Sequence, residues 1–177
     1  MMTKLKQLLI QPAPGFTPHI GVLVSTMQRC RETTIRGCQE LTIKQLDYLW
    51  DENANTIGAL LLHIAAIEAA YQEQTFDGRN ILDNPERIKK WYTPMYLDEE
   101  ARRTIRGYPI SYYLEELATM RTLTLNQFKQ YDDSWLWQET TWNDAVANNY
   151  WMWYHVYEDE INHRGEISWL KSRIAAI

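Results

Sequence analysis

The chain has 177 residues, 45 % hydrophobic and 23 % charged, with a net charge of −5, an ordinary globular composition for a single domain spanning residues 1–177. No stretch gathers enough Lys and Arg for a phosphate-binding face, so nucleic acid is not an expected partner. Met1 to Ile10 lacks the apolar core and cleavage site of a secretory signal and no apolar run reaches membrane-spanning length, so a cytoplasmic protein with no membrane partner is expected.

Eight Trp and eleven Tyr stand against three Phe. Rings with a polar handle suit a lined cleft or a subunit interface, and equally simple core filling. Cys30 and Cys38 lie eight residues apart with no CxxC, which suits a reducing compartment and a filling role for both thiols.

Thr17-Pro18 is a helix start, a capping hydroxyl followed by a proline whose missing N–H costs nothing in the first turn. Ile20, Val24, Met27 and Cys30 or Arg31 carry helical spacing to about Thr34, where Gly37 can end the segment. Thr42 opens a short turn through Leu46 and Leu49, stopped by the polar run from Asp51 to Asn55. A second long helix is predicted from about Thr56 to Gln74; between Thr56 and Tyr71 its only ionisable side chains are His63 and Glu68, so it should lie deep in a bundle. Residues 77–110, with Pro85, Pro94, Gly107 and Pro109, read as a long connection with a short helix from Pro85 to Trp91. Ser111 starts a third long helix, with Leu114, Leu117, Met120 or Arg121, Leu125 and Phe128 at helical spacing, ending near Tyr131. Asp132 to Asp144 is tryptophan-rich and irregular, with Glu139 to Trp142 briefly extended. A last helix is predicted from about Ala145 to Ala175, and the fold class is all-α, a four-helix bundle.

His155, Asp159 and His163 stand four residues apart on that last helix, so all three project from one side. At about 100° per residue, with His155 at zero, Asp159 falls near 40°, His163 near 80°, Glu166 near 20° and Glu160 near 140°. Asp159 is thus the neighbouring acid expected to face inward, where a carboxylate needs a cation, a metal or several donors. His63 shares a stripe with Ala59, Leu60 and Ile67 on the most apolar helix. Two imidazoles and a carboxylate form a three-ligand set that leaves positions open on Zn²⁺, Ni²⁺ or Fe²⁺. The plain alternative is a satisfied core histidine and a chance Asp-x-x-x-His pair.

The stretch from Trp153 through His155, Asp159, His163, Arg164 and Gly165 to Ile167 resembles the C-terminal helix signature of the DinB-like (YfiT-like) superfamily of small helical metalloproteins. Asn55 through Gly58 and His63 to Ala65 resembles the helix that supplies the remaining histidine. The resemblance covers nearly the whole chain and implies a four-helix bundle with a divalent metal, Zn or Ni first and Fe or Mn as alternatives, held by His63, Asp159 and His163. Many members carry three histidines; a branch that includes mycothiol-dependent isomerases has a carboxylate where Asp159 stands. Glu160 or His155 are the alternative third ligands. Arg164 is expected in a packing or ion-pair role, Gly165 in close helix packing, and Glu166 in holding a ligand or substrate group.

The resemblance implies an enzyme in which the metal activates a low-molecular-weight thiol cosubstrate for transfer or isomerisation. Two other readings stand beside it: a hydrolase with metal-activated water and Glu160 or Glu166 as general base, and a non-catalytic stress-related or metal-binding helical protein. Trp142, Trp151, Trp153 and Tyr154 are candidates to line the approach to a small-molecule substrate, and a homodimer is expected.

Overall fold

A computed structural model of the chain describes residues 8–142 and 144–174. The expected last helical residue, Ala175, and most of the stretch read for a secretory signal fall outside them. The long helices are α1 (Pro18–Cys38), α3 (Ile57–Phe76), α6 (Ile110–Phe128) and α8 (Asn149–Ile174). Between them lie α2 (Ile43–Leu46), α4 (Pro85–Tyr96), α5 (Glu99–Thr104), α7 (Asp133–Leu136) and a hairpin of β1 (Glu139–Trp142) and β2 (Ala145–Asn148). This is the all-α bundle expected of a DinB-like fold, and none of its described helices is long and apolar enough to cross a membrane.

The helix α3 is central, packed on α6, α8 and α4, while α1 lies against α8. Its run Ile57-Gly58-Ala59-Leu60-Leu61-Leu62 is buried all round, and each fully buried Leu contributes roughly 1.5–3 kcal/mol through area removed from water. Thr56 caps the helix by accepting the Ala59 N–H. Gly58 is needed where it stands, because a Cβ there would sit 2.5 Å from the Tyr113 hydroxyl of α6. A second apolar cluster joins α1 to the start of α8, with Phe76 stacked on Tyr131, Trp135 and Trp153.

Several boundaries differ from the sequence expectation, among them the end of α6, at Phe128 rather than near Tyr131. Gly37 does not end α1, which runs on to Cys38. The connection after α3 is more ordered than expected: Asn84 caps α4 by accepting the Arg87 N–H, and α4 continues through Pro94 to Tyr96, where Leu97 adopts a left-handed conformation with φ 49°. Asp133 to Leu136 forms a helical turn within the stretch expected to be irregular. The last helix starts at Asn149 rather than Ala145, because Ala145–Asn148 pairs antiparallel with Glu139–Trp142. The Asn148 side chain then accepts the Trp151 N–H, the geometry of an N-cap.

Candidate metal centre

The helices α3 and α8 bring His63, Asp159 and His163 together. One candidate ligand atom from each lies within 4.8 Å of the other two, and the two imidazole rings meet edge to face with centroids 4.6 Å apart.

His63 is fixed by a hydrogen bond on its Nδ1, whereas His163 Nδ1 makes an ion-pair contact and no hydrogen bond among the described residues. The last carbonyls of a helix have no intrahelical partner, and the Pro94 carbonyl near the end of α4 accepts from His63 Nδ1 at 2.9 Å. His63 Nε2 then faces Asp159 Oδ2 at 3.6 Å. His163 Nδ1 lies 2.9 Å from Glu166 Oε1, one turn further along α8, and its Nε2 lies 3.4 Å from Asp159 Oδ1. Both Nε2 atoms therefore converge on one carboxylate, whose Oδ2 is buried and has no hydrogen-bond partner among the described residues.

The field at this point favours positive charge. Burial opposes ionisation of Asp159, yet His163 and His63 hold its carboxyl well below the usual carboxylate range. Burial likewise opposes the His163 imidazolium, but Asp159 and Glu166 outweigh it and raise its pKa above the ordinary histidine value. A divalent cation meets the same demand. Around a tetrahedral ion with bonds of about 2.0–2.1 Å, ligand atoms stand about 3.4 Å apart; His163 Nε2 lies 3.4 Å from Asp159 Oδ1 and His63 Nε2 3.6 Å from Oδ2, and one ligand atom from each residue lies within 4.8 Å of the other two. Imidazole nitrogens with a carboxylate suit Zn²⁺, Ni²⁺ or Fe²⁺ and leave positions for a further ligand.

Other residues singled out from the sequence fall elsewhere. Glu160, read as lying off the inward arc and as a candidate base or third ligand, is fully buried and engaged with Arg31 at 3.0 Å and Arg121 at 3.6 Å. It is more deeply enclosed than Asp159. Those arginines also hold Glu68 at 2.9 and 2.8 Å, so two acids and two bases form one buried network. Arginine at the stripe positions Arg31 and Arg121 was the available signal for it. His155 stays outside the triad, stacked on Trp151 and paired with Glu158 at 3.2 Å. Arg164 reaches the Cys30 carbonyl on α1. Gly165 does not serve close packing: a Cβ there would meet nothing within 4 Å. It lines a cleft of about 420 Å³ with Asn53, Ala54, Asn55, Glu166 and Trp169.

Among the candidate lining aromatics, Trp153 is a core residue that donates to Thr75, and Tyr154 is exposed and donates to Glu158. Trp142 packs near Tyr71 and His155. Cys30 and Cys38 are buried, and burial pushes each thiol up to about 11, so neither is a nucleophile at neutral pH.

Fold and site together define a DinB-like helical bundle carrying a three-residue His/Asp/His centre. Within that class the chain belongs to the mycothiol-S-transferase family, whose model matches residues 22–176. No curated protein matches it. Membership makes it a member of a thiol S-transferase family.

Proposed function

We propose that the protein is a divalent-metal-dependent transferase that joins a low-molecular-weight thiol of the mycothiol type to an electrophile. The observation that carries this reading is the convergence of His63 Nε2, His163 Nε2 and the otherwise unpartnered Asp159 carboxylate on one point. When bound there, a divalent cation favours the thiolate over the thiol and so raises the population of nucleophile at neutral pH.

The residues around it divide the remaining work. Pro94 fixes the orientation of His63 through its carbonyl, and Glu166 places a carboxylate 2.9 Å from His163 Nδ1. Asp159 supplies the negative charge that lowers the net charge of the centre. The cleft beside Glu166 takes the polar body of the thiol, with the Trp169 ring as a wall and the Asn55 carboxamide oxygen, buried and unpartnered among the described residues, as an acceptor. With both protein thiols buried and protonated, the nucleophilic sulfur comes from a cosubstrate. Water activation is less well served by Glu160, which is held between two arginines.

The test is metal content by elemental mass spectrometry on protein purified without an affinity tag, beside His63→Ala and His163→Ala. Near-stoichiometric metal in the parent, lost in both variants together with thiol transfer, is the expected result. If reconstitution with Zn²⁺, Ni²⁺, Mn²⁺ or Fe²⁺ leaves the parent without metal, the reading fails.

A further inference from the structure

One row of α8 faces away from the bundle and repeats at spacings of three and four residues: Trp151, Tyr154, Glu158 and Ile161 in its first half, Gly165, Ser168 and Ser172 in its second. All but Glu158 are exposed, and the Glu158 side chain is 41 % accessible. A three-four repeat sustained along a helix is the seam by which it packs lengthwise on another helix, yet none of the described residues covers this one.

The face is apolar for its length. Trp151, Tyr154 and Ile161 are 39, 36 and 42 % exposed, while Trp169 at the flank and Trp50, whose ring stands 5.4 Å from it, are 44 and 46 % exposed. At roughly 150–250 Å² per aromatic side chain, the four rings leave about 250–400 Å² bare. With Ile161 and with Val146, which shares a hollow with Trp151 at the hairpin end, the bare area passes half of the roughly 800 Å² that each partner of a stable interface buries. Bare patches of that size mark interaction sites.

Gly165 and the order of side-chain sizes indicate what covers it. A glycine inside a helix weakens it, and here the missing Cβ makes room for nothing in the chain itself, since one built there would meet nothing within 4 Å. Large side chains fill the first half of the row and small ones the second. Such a row matches a copy of itself when the two helices run antiparallel, each ring lying over a glycine or a serine; run parallel, ring meets ring. Charge agrees with this pairing. Glu158, the one charged residue of the row, is engaged on its own helix by the Tyr154 hydroxyl at 2.6 Å and by His155 at 3.2 Å, and the antiparallel register sets it near the partner's Gly165 rather than against a second acid.

We propose that this face of α8 docks a second copy of the chain as a two-fold antiparallel helix pair centred on Ile161. Ile161 meets the partner's Ile161, and Tyr154 lies over the partner's Ser168. At about 100° per residue, Asp159 and His163 point about 120° and 160° away from Gly165, so the metal centre stays open in the dimer. Gly165 and Trp169 also edge the Asn55 cleft, which the second copy therefore borders.

Sedimentation velocity of the full chain tests the proposal. The parent should sediment as a dimer at micromolar concentration. Ile161→Arg sets two like charges face to face at the two-fold axis and should weaken the dimer by about 100-fold or more, whereas Leu123→Arg, at a residue of α6 that is 43 % exposed, should leave it intact. Gly165→Leu, a better helix former, should keep its helical circular dichroism and dissociate. Cysteines report the direction of pairing. Cys30 and Cys38 are buried, so under mild oxidation Ile161→Cys should give a disulfide-linked dimer, as should Tyr154→Cys combined with Ser168→Cys, while Tyr154→Cys alone should not. A monomeric parent overturns the proposal and leaves the face to another partner or to solvent. A dimer that survives in folded Ile161→Arg overturns it by placing the interface elsewhere. If Ile161→Arg fails to fold, cross-linking decides, and a dimer in which Ile161→Cys forms no disulfide overturns the proposal. Cross-linking by Tyr154→Cys alone overturns the antiparallel arrangement.

Discussion

The two candidate histidines are held differently at Nδ1: His63 makes a hydrogen bond there, and His163 has the Glu166 carboxylate beside it at 2.9 Å without one. His63 donates to a backbone carbonyl that the end of α4 leaves free, so substitution of the Pro94 side chain leaves that acceptor in place. His163 relies on Glu166, whose side chain is 49 % exposed. Outer partners of this type typically account for 10–100-fold in metal affinity. Glu166→Gln should therefore weaken metal binding by about that factor while leaving the melting temperature of the apoprotein nearly unchanged, measured by competition with a chromophoric chelator. Unchanged affinity would mean that His163 is oriented by packing alone. At this scale Asp159, His163 and His63 were legible, because a four-residue spacing on one helix and a lone imidazole on an apolar one are local patterns. The burial of Glu160 was not. Asn149, Trp153 and Ile167 are buried as well, so the enclosed arc of α8, contacted by both α1 and α3, is wider than the stripe of Met152, Val156 and Leu170 suggests, and its centre lies nearer Glu160. The Pro94 carbonyl has no side-chain signature at all.

Helix ends show the same limit. Thr17-Pro18 marks the start of α1 correctly, yet Thr17 makes no local cap; its hydroxyl donates to the Asp133 carboxylate, which also accepts the His19 and Ile20 N–H groups from 114 and 113 residues away. This carboxylate satisfies two of the four N–H groups that a helix start leaves open and ties α7 to α1. Burial alone would raise its pKa, but the bonds from Thr17, Ile20 and His19 hold it down to about 2. A depressed carboxyl contributes stability that is fully present above its unfolded value near 3.9 and is lost as pH falls through about 2. Asp133→Ala should cost about 1 kcal/mol at pH 7, within the usual 0.5–2 for a lost cap. The gap to the parent, from urea unfolding, should narrow steadily from pH 5 to pH 2. A gap that does not change with pH would show that packing of α7, not the charge, is responsible. The hairpin was half legible: Thr140, Thr141 and Trp142 favour a strand, but Ala145–Asn148 extends only because β1 is there to pair with it.

Across the whole molecule, the Arg31–Glu68–Arg121–Glu160 network takes one side chain from each of α1, α3, α6 and α8. Thr124 adds a hydrogen bond to Glu68, and Arg31 one to the Leu117 carbonyl. Burial opposes the Glu68 charge, yet Arg121 and Arg31 hold its pKa down to about 2, so two positive and two negative groups offset one another. Removing one member leaves a buried charge uncompensated, so Glu68→Gln should cost roughly 3–5 kcal/mol. Replacing all four by methionine removes charge and desolvation together and should be close to neutral or stabilising by the same reasoning. The network's contribution to function then lies in orientation rather than stability. Glu160 immediately follows Asp159, and its ion pairs with Arg31 of α1 and Arg121 of α6 tie the rotation of α8 to the bundle, where a modest turn would carry Asp159 and His163 away from His63. The four-methionine variant should therefore keep its melting temperature within a few degrees and bind Zn²⁺ at least tenfold more weakly. Equal affinity in a stably folded variant would show that helix packing alone sets the centre, and a collapse in stability would show that the charges hold the bundle together.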